Sequence, residues 1–490
     1  MRSSLFILFF FLIQSAFGQA KFFRVYSGND EDGANGVVQL EDSSYIVTGS
    51  SSSFDGAASQ AFLLKLDSLG NYVWSIDYGG DEVEEGRRVL YVSGSCFYIA
   101  GFTNSIGNGA YDFYLAKTDL NGQLLWERAY GGYGWDRVHD AAITSDGGVI
   151  MVGESASTVL NDLDMYMVRT DQNGDTLWTK QIGAEGDDLL ESVVPLNDSI
   201  YYAFGSTFVT DSLLNKAYVI CFHENGTVLW EDTLGTDGNY YIHGACLDTV
   251  SNELVAVGHV EGPTHQSIDY LFIRMQLDGT VIDIGNGNAA GIQEYRLVTA
   301  YGVTSKRYIG WNYFDQWSAG TGDAAAISKH DSVMGWEQTG FVVNFAKPDE
   351  INELIPTSDG GAIGVGRTHE QFVDGPSRMY IAKIGPNDDY PQEWTITPFV
   401  IEGLVGLYDV AESGFPLSIF PNPTTGLIHL EADVNESVYM EVLDQMGRVI
   451  RSEKLSLPAT IDLLELESGV YHLNLRTESS FASKRLTICH

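Results

Sequence analysis

The sequence predicts an all-β protein: a seven-bladed β-propeller built from repeats of about 52 residues, followed by a small C-terminal β-sandwich. Three observations carry this reading. First, Trp74, Trp126, Trp178 and Trp230 lie 52 residues apart at each step, and two glycine ladders, Gly70/Gly122/Gly174/Gly226 and Gly49/Gly101/Gly153/Gly205, keep the same step. Second, each unit reads as four short strands separated by Gly, Asn and Asp turns. Third, the repeat stops near residue 400 and a different set of short strands begins.

One unit shows the strand logic. WERAYGG (Trp126 to Gly132) is a strand ending in a Gly-Gly turn. RVHDAAIT (Arg137 to Thr144), VIMVGES (Val149 to Ser155) and DMYMVRTD (Asp164 to Asp171) follow as strands, and Gln172-Asn173-Gly174 turns the chain toward Trp178. No segment has a long 3.6-residue apolar period, so helices are not expected. Later copies drift through Gly258, Gly310 and Gly366, which makes seven copies of the apolar-Gly-polar strand end. Four strands in about 50 residues is the size of a propeller blade. Closing the ring removes strand edges that would otherwise invite aggregation. FFRVYSG (Phe22 to Gly28) and EWTITPF (Glu393 to Phe399) both match the Trp-to-Gly-Gly strand, so the two ends of the repeat region are expected to meet in one blade. An open β-solenoid is the alternative.

The N-terminus reads as a secretory signal peptide over residues 1–18. Arg2 supplies the positive start, Leu5 to Ile13 is an unbroken apolar run, and Ala16 and Gly18 are the small residues before cleavage. That run is too short to span a bilayer as a helix, and no later stretch is long enough, so no transmembrane segment is expected after its removal. Residues 19–400 are the repeat domain, 401–414 a linker and 415–490 the second domain. The net charge is -39, from 27 basic and 66 acidic residues, which repels phosphate backbones and excludes nucleic acid as an expected partner. The four cysteines, Cys96, Cys221, Cys246 and Cys489, form neither a CxxC pair nor a zinc spacing and read as buried thiols, with a Cys221–Cys246 bridge as the alternative.

Two resemblances follow from these residues. LLKLDSLGNYVWSIDYGG (Leu63 to Gly80) and LAKTDLNGQLLWERAYGG (Leu115 to Gly132) resemble the Asp…Gly…Trp pattern of quinoprotein-type blades. That likeness implies that Trp74, Trp126, Trp178 and Trp230 dock between neighbouring blades. The adjacent cysteine pair of the quinoprotein enzymes is absent. The C-terminal segment resembles the type A sorting domain of type IX secretion in Bacteroidota. The matching residues are Pro421-Asn422-Pro423 with Gly426, Asp444 with Gly447-Arg448, Gly469 with Tyr471, and Lys484-Arg485 before a terminal strand. The family often ends in lysine; this chain ends in His490. The resemblance implies a type IX translocon as partner and a secreted or outer-surface location.

For chemistry, no G-x-S-x-G elbow, HExxH, Walker loop or dinucleotide fingerprint is present. The histidines read as scattered through the units at differing phases. Asp32, Glu84, Asp136 and Asp188 keep the 52-residue step just after the Gly-Gly turns. Propeller symmetry makes them a ring suited to Ca²⁺ or a cationic ligand; the alternative is that each accepts backbone N–H bonds in its own turn. The aromatic stretch with Trp311, Tyr313, Phe314 and Trp317 suits stacking on a sugar. The expected function is an exported binding or adhesion protein for a glycan or protein ligand, not an enzyme. The alternative is an exported hydrolase or lyase acting on polysaccharide or protein, whose mark would be non-repeated carboxylates or histidines converging on the central channel.

Overall fold

The computed structural model describes residues 21–28, 30–53, 58–157, 162–262, 268–286, 292–301, 306–314, 324–330, 336–343, 350–368, 376–385, 398–400, 417–420, 424, 426–432, 438–443, 449–464, 466, 469–476 and 481–488. The expected signal peptide and linker lie outside them. Every regular element among these residues is a strand.

The repeat region forms six four-stranded antiparallel sheets with their strands in chain order and a seventh sheet of five strands. They run over residues 32–78, 84–130, 136–182, 189–234, 239–286, 292–343 and 350–384. The first strand of each sheet touches the first strand of the next, and the first strand of the seventh touches that of the first. These contacts close a ring around an axis, the arrangement of a β-propeller.

Closure comes from the N-terminus. Phe22–Ser27 pairs antiparallel with Arg378–Ile384 and so supplies the fourth strand of the seventh sheet. Pro398–Val400 then pairs parallel on its other side. The two ends of the repeat region meet in one sheet, as the matching sequence stretches predict.

Burial explains why the second strands read as continuous apolar runs. Tyr45–Ser51, Cys96–Thr103 and Val149–Ser155 are buried along their whole length, because both faces are covered by neighbouring sheets. One shared core joins Ile150, Val152 and Met167 of the third sheet to Tyr201, Ala203 and Ile220 of the fourth. The outer strands alternate instead: Thr176–Ile182 is half exposed at the rim.

The phase of the unit differs from its sequence reading. The turn at Asp171–Gly174 pairs Asp164–Thr170 with Thr176–Ile182, so the tryptophan strand ends one sheet rather than opening the next. Its ring reaches across instead. A Cβ on Gly174 would lie 2.8 Å from Trp126, a residue of the preceding sheet. Gly174 also has φ of 83°, which only glycine adopts cheaply. Tyr130 Oη donates to the Gly174 carbonyl at 2.7 Å, and Tyr78 does the same to Gly122 at 2.6 Å. The tryptophan, tyrosine and glycine ladders are thus one joint, repeated between sheets, and the tryptophans dock where the blade resemblance implies.

The C-terminal domain is two facing sheets. Leu417–Phe420, Leu427–Ala432 and Ala459–Asp462 form one; Val449–Leu455, Val438–Leu443, Gly469–Arg476 and Phe481–Ile488 form the other. Ile428, Leu430 and Ile461 from the first meet Val438, Met440, Val442, Leu473 and Leu486 from the second in one core. Strict alternation of buried and exposed residues in Leu427–Ala432 is what a sheet with one solvated face requires.

Candidate functional site on the axis

Each first strand carries one extra residue. The register against the second strand shifts between Ala34/Gly36, Gly86/Arg88, Val138/Asp140, Leu190/Ser192, Ile242/Gly244, Tyr295/Leu297 and Ile351/Glu353. The extra residues are Asn35, Arg87, His139, Glu191, His243, Arg296 and Asn352, and the first five keep the 52-residue step. A bulge leaves one residue unpaired and re-aims its side chain. Asn35, Arg87, His139, Glu191, His243 and Asn352 accordingly line a cavity of about 290 Å³ on the ring axis.

The side chains form a continuous polar row. His139 Nε2 lies 3.5 Å from Glu154 Oε2, and its Nδ1 lies 3.5 Å from Glu191 Oε2. Glu191 Oε1 is 3.8 Å from His243 Nδ1. His243 Nε2 and His259 Nδ1 share a hydrogen bond of 2.8 Å, and His259 Nε2 lies 4.0 Å from Glu261. That hydrogen bond needs one donor and one acceptor, so His243 and His259 cannot both be imidazolium while it stands. Tyr241 stacks on His259 with ring centres 4.7 Å apart. Burial works against a charge on His139, but the facing Glu191 and Glu154 outweigh it and hold the imidazolium above its ordinary range.

On the other side of the cavity the charges are internally paired. Arg88 contacts Asp140 at 3.2 Å and also Glu353; Arg87 Nε lies 3.0 Å from Glu85. Asn35 Nδ2 donates to Glu85 at 2.9 Å, and Asn352 Nδ2 donates to Asn35 Oδ1 at 3.1 Å.

The histidine reading is therefore corrected. His139 and His243 occupy the same phase two units apart, with Glu191 at that phase between them. Aligning the units on the Gly49 ladder would have exposed this: Asn35, Arg87, His139 and Glu191 each precede a ladder glycine by 14 residues.

The repeated carboxylates sit elsewhere. Asp32, Glu84, Asp136 and Asp188 are fully buried. Each accepts bonds within its own junction. The Gly28 N–H donates to Asp32 at 2.6 Å, Gly80 to Glu84 at 2.9 Å, Gly132 to Asp136 at 2.7 Å and Ala184 to Asp188 at 3.0 Å. Ser51 and Ser53 add to Asp32, Thr103 to Glu84, Ser157 to Asp136, and Thr207 with the Phe208 N–H to Asp188. Burial nevertheless pushes the Asp32 carboxyl above its usual range. The four are not brought together, and among the described residues no three His, Cys, Asp or Glu side chains are placed to hold a metal ion. These are the N–H bonds that the turn-closing alternative calls for. Cys96 and Cys221 are buried free thiols, as expected, and Cys246 is half-buried.

Of the aromatic candidates, Trp311, Tyr313 and Phe314 lie in the strand Lys306–Phe314 rather than in a loop; Trp317 falls outside the described residues. Trp311 pairs with Tyr295 and directly follows the ladder glycine Gly310, as Glu154 follows Gly153 and His259 follows Gly258. An aromatic cluster that the sequence reading passed over joins the second sheet to the start of the third. Tyr111 meets Trp135 and Phe102 edge-on at 5.4 and 5.3 Å, and the Arg137 guanidinium lies 4.5 Å over the Trp135 ring.

In the C-terminal domain, Gly426 accepts the Leu463 N–H at 2.6 Å and has φ of 126°. Gly469 and Tyr471 lie in one strand and Lys484 and Arg485 in its partner, with His472 opposite Arg485. Tyr471 packs on the core. Pro421, Asn422, Pro423, Asp444, Gly447 and Arg448 lie outside the described residues. Residues 418–489 match the family model of the secretion system C-terminal sorting domain. This segment is a type IX secretion sorting domain. The sorting domain makes the protein one that engages the type IX translocon and is secreted to the cell surface or the extracellular space. No helix among the described residues is long and apolar enough to cross a membrane.

No curated protein matches the chain. Among solved structures, it is similar to the Pan2 WD40 domain of Neurospora crassa, at 11% identity over 71% of this chain and 88% of that one, with a TM-score of 0.41. It is also similar to a copper-bound fungal alcohol oxidase of the AA5 family, at 10% identity over 96% and 98%, TM-score 0.42. A third is the β-propeller domain of the Trilobed protease from Pyrococcus furiosus, at 10% identity over 76% and 97%, TM-score 0.38.

Proposed function

We propose that this is an exported binding protein: the sorting domain delivers it, and the cavity on the propeller axis holds a glycan or peptide ligand. The observation that carries the reading is the ring of bulges. Backbone geometry repeats in every first strand, whereas the residue presented changes from Asn35 to Arg87, His139, Glu191 and His243. A purely structural position has no reason to vary in this way, as the Trp126 and Gly174 joints illustrate. A concave cavity with convergent polar groups is where a ligand is expected.

The test is a glycan and peptide array probed with the mature chain, with and without Ca²⁺, beside His243→Asn. A saturable hit that His243→Asn removes supports the reading. Hits unaffected by that variant move the ligand off the axis and overturn it.

The second reading is an exported hydrolase or lyase. It is favoured by Glu191 standing between His139 and His243, an arrangement able to give and take a proton. Incubating each array hit with the protein and measuring released product separates the two: turnover lost in Glu191→Gln makes it an enzyme, and intact ligand after prolonged incubation leaves it a binding protein.

A further inference from the structure

We infer, resting on that binding reading, that the axial cavity takes one unit of an uncharged saccharide chain that enters past the aromatic cluster of Tyr111, Trp135 and Phe102.

Charge balance is the first argument. Among the described residues, the cations lining the cavity already have counter-charges: Arg88 lies against Asp140 and Glu353, Arg87 against Glu85, and His139 against Glu191. A carboxylate, sulfate or ammonium ligand would have to displace one of these partners and leave it with an unpaired charge in a confined site, which is costly. A neutral ligand disturbs none of them.

Hydrogen-bonding capacity is the second. Going round the ring, the amides of Asn35 and Asn352, the guanidinium of Arg87, the imidazoles of His139 and His243 and the carboxylate of Glu191 interleave donors with acceptors. Hydroxyl groups both donate and accept, so a polyhydroxylated ring can satisfy such a wall wherever it touches it. The volume of about 290 Å³ stands at the small end of ligand cavities, which suits a single sugar unit better than a folded peptide segment.

The approach is the third. Tyr133 is 92% exposed and Trp135 49%, an unusual display for aromatic side chains outside an interaction surface. Trp135 is not loose: Tyr111 braces its edge and Arg137 covers its ring, so the platform is pre-formed. Trp135 immediately precedes the strand Asp136–Ile143, and His139 is the fourth residue of that strand. At about 3.3 Å per residue the ring and the imidazole stand roughly 13 Å apart along the chain, so a linear saccharide can stack on the one and reach the other.

The experiment uses the full secreted chain and measures binding calorimetrically with three probe sets: neutral hexasaccharides of glucose, xylose and mannose; hexamers of uronic acids; and tri- to hexapeptides. Each is run with the wild type, Trp135→Ala, Glu191→Gln and, as a distant control, Tyr439→Ala. The expected result is saturable binding of at least one neutral hexasaccharide, weakened tenfold or more by both Trp135→Ala and Glu191→Gln and unchanged by Tyr439→Ala. Binding confined to uronates or peptides, yet lost in Glu191→Gln, overturns the saccharide inference and leaves the axial binding site standing. Saccharide binding indifferent to Glu191→Gln, or no binding in any set, overturns both.

Discussion

At the joints between sheets, Trp74, Trp126 and Trp178 meet the glycines Gly122, Gly174 and Gly226 of the next sheet, and the same residue types recur at each step. On the axis the same 52-residue step sets out Asn35, Arg87, His139, Glu191 and His243, and the residue type changes almost every time. Both regions share one backbone plan. The joints solve the same packing problem repeatedly, so one solution serves. The axis is a single space seen from seven sides, so each side contributes a different group. Within a closed repeat, sameness therefore reports on structure, and variation at a constant backbone geometry reports on the site.

Perturbing the joint should have the largest effect. Gly174→Val forces a branched residue into the left-handed region and drives a Cβ into Trp126, at an expected cost of about 3 kcal/mol in urea unfolding followed by tryptophan fluorescence. A cost below about 0.5 kcal/mol would mean that the joint does not hold the ring together.

Next comes the buried carboxylate. Asp188→Ala strands the Ala184 and Phe208 N–H groups and the Thr207 hydroxyl, at about 2 kcal/mol, and the loss should be the same with and without Ca²⁺. A Ca²⁺-dependent melting temperature abolished by this substitution would return these acids to the ligand-binding class. Tyr130→Phe removes one hydrogen bond to the Gly174 carbonyl and should cost about 1 kcal/mol, with no effect on ligand binding.

The smallest stability effect belongs to the axis. The folded value of His139 is raised above 6.5, so whatever the pair with Glu191 contributes is complete below the unfolded value and fades as pH rises through the folded one. In Glu191→Gln the His139 resonance should titrate at lower pH than in the wild type by NMR, while the joints keep the fold intact. An unshifted titration would show that Glu191 does not govern His139.

Much of this was legible in order along the chain. Strand runs, Gly-Asn-Asp turns and the tryptophan step identify the sheets, and the Gly426, Gly469 and Tyr471 elements identify the sorting domain. The four carboxylates were legible as a repeat but not as to role, since a ring of acids on an axis and acids folded into their own turns leave the same spacing. The bulges left only a faint mark. In Val138-His139-Asp140 two polar residues stand in succession, and only pairing with Val152 and Gly153 shows that the break is an extra residue.

The sequence by itself determined the repeat, the strands and the sorting domain, because turn chemistry and hydrophobic period act over a few residues. Tertiary structure alone decided that Glu154, His139, Glu191, His243 and His259, from three sheets and across 120 positions of chain, form one row. Ring closure brings those side chains together, and a contact made by closure depends on register between sheets that local preferences do not encode.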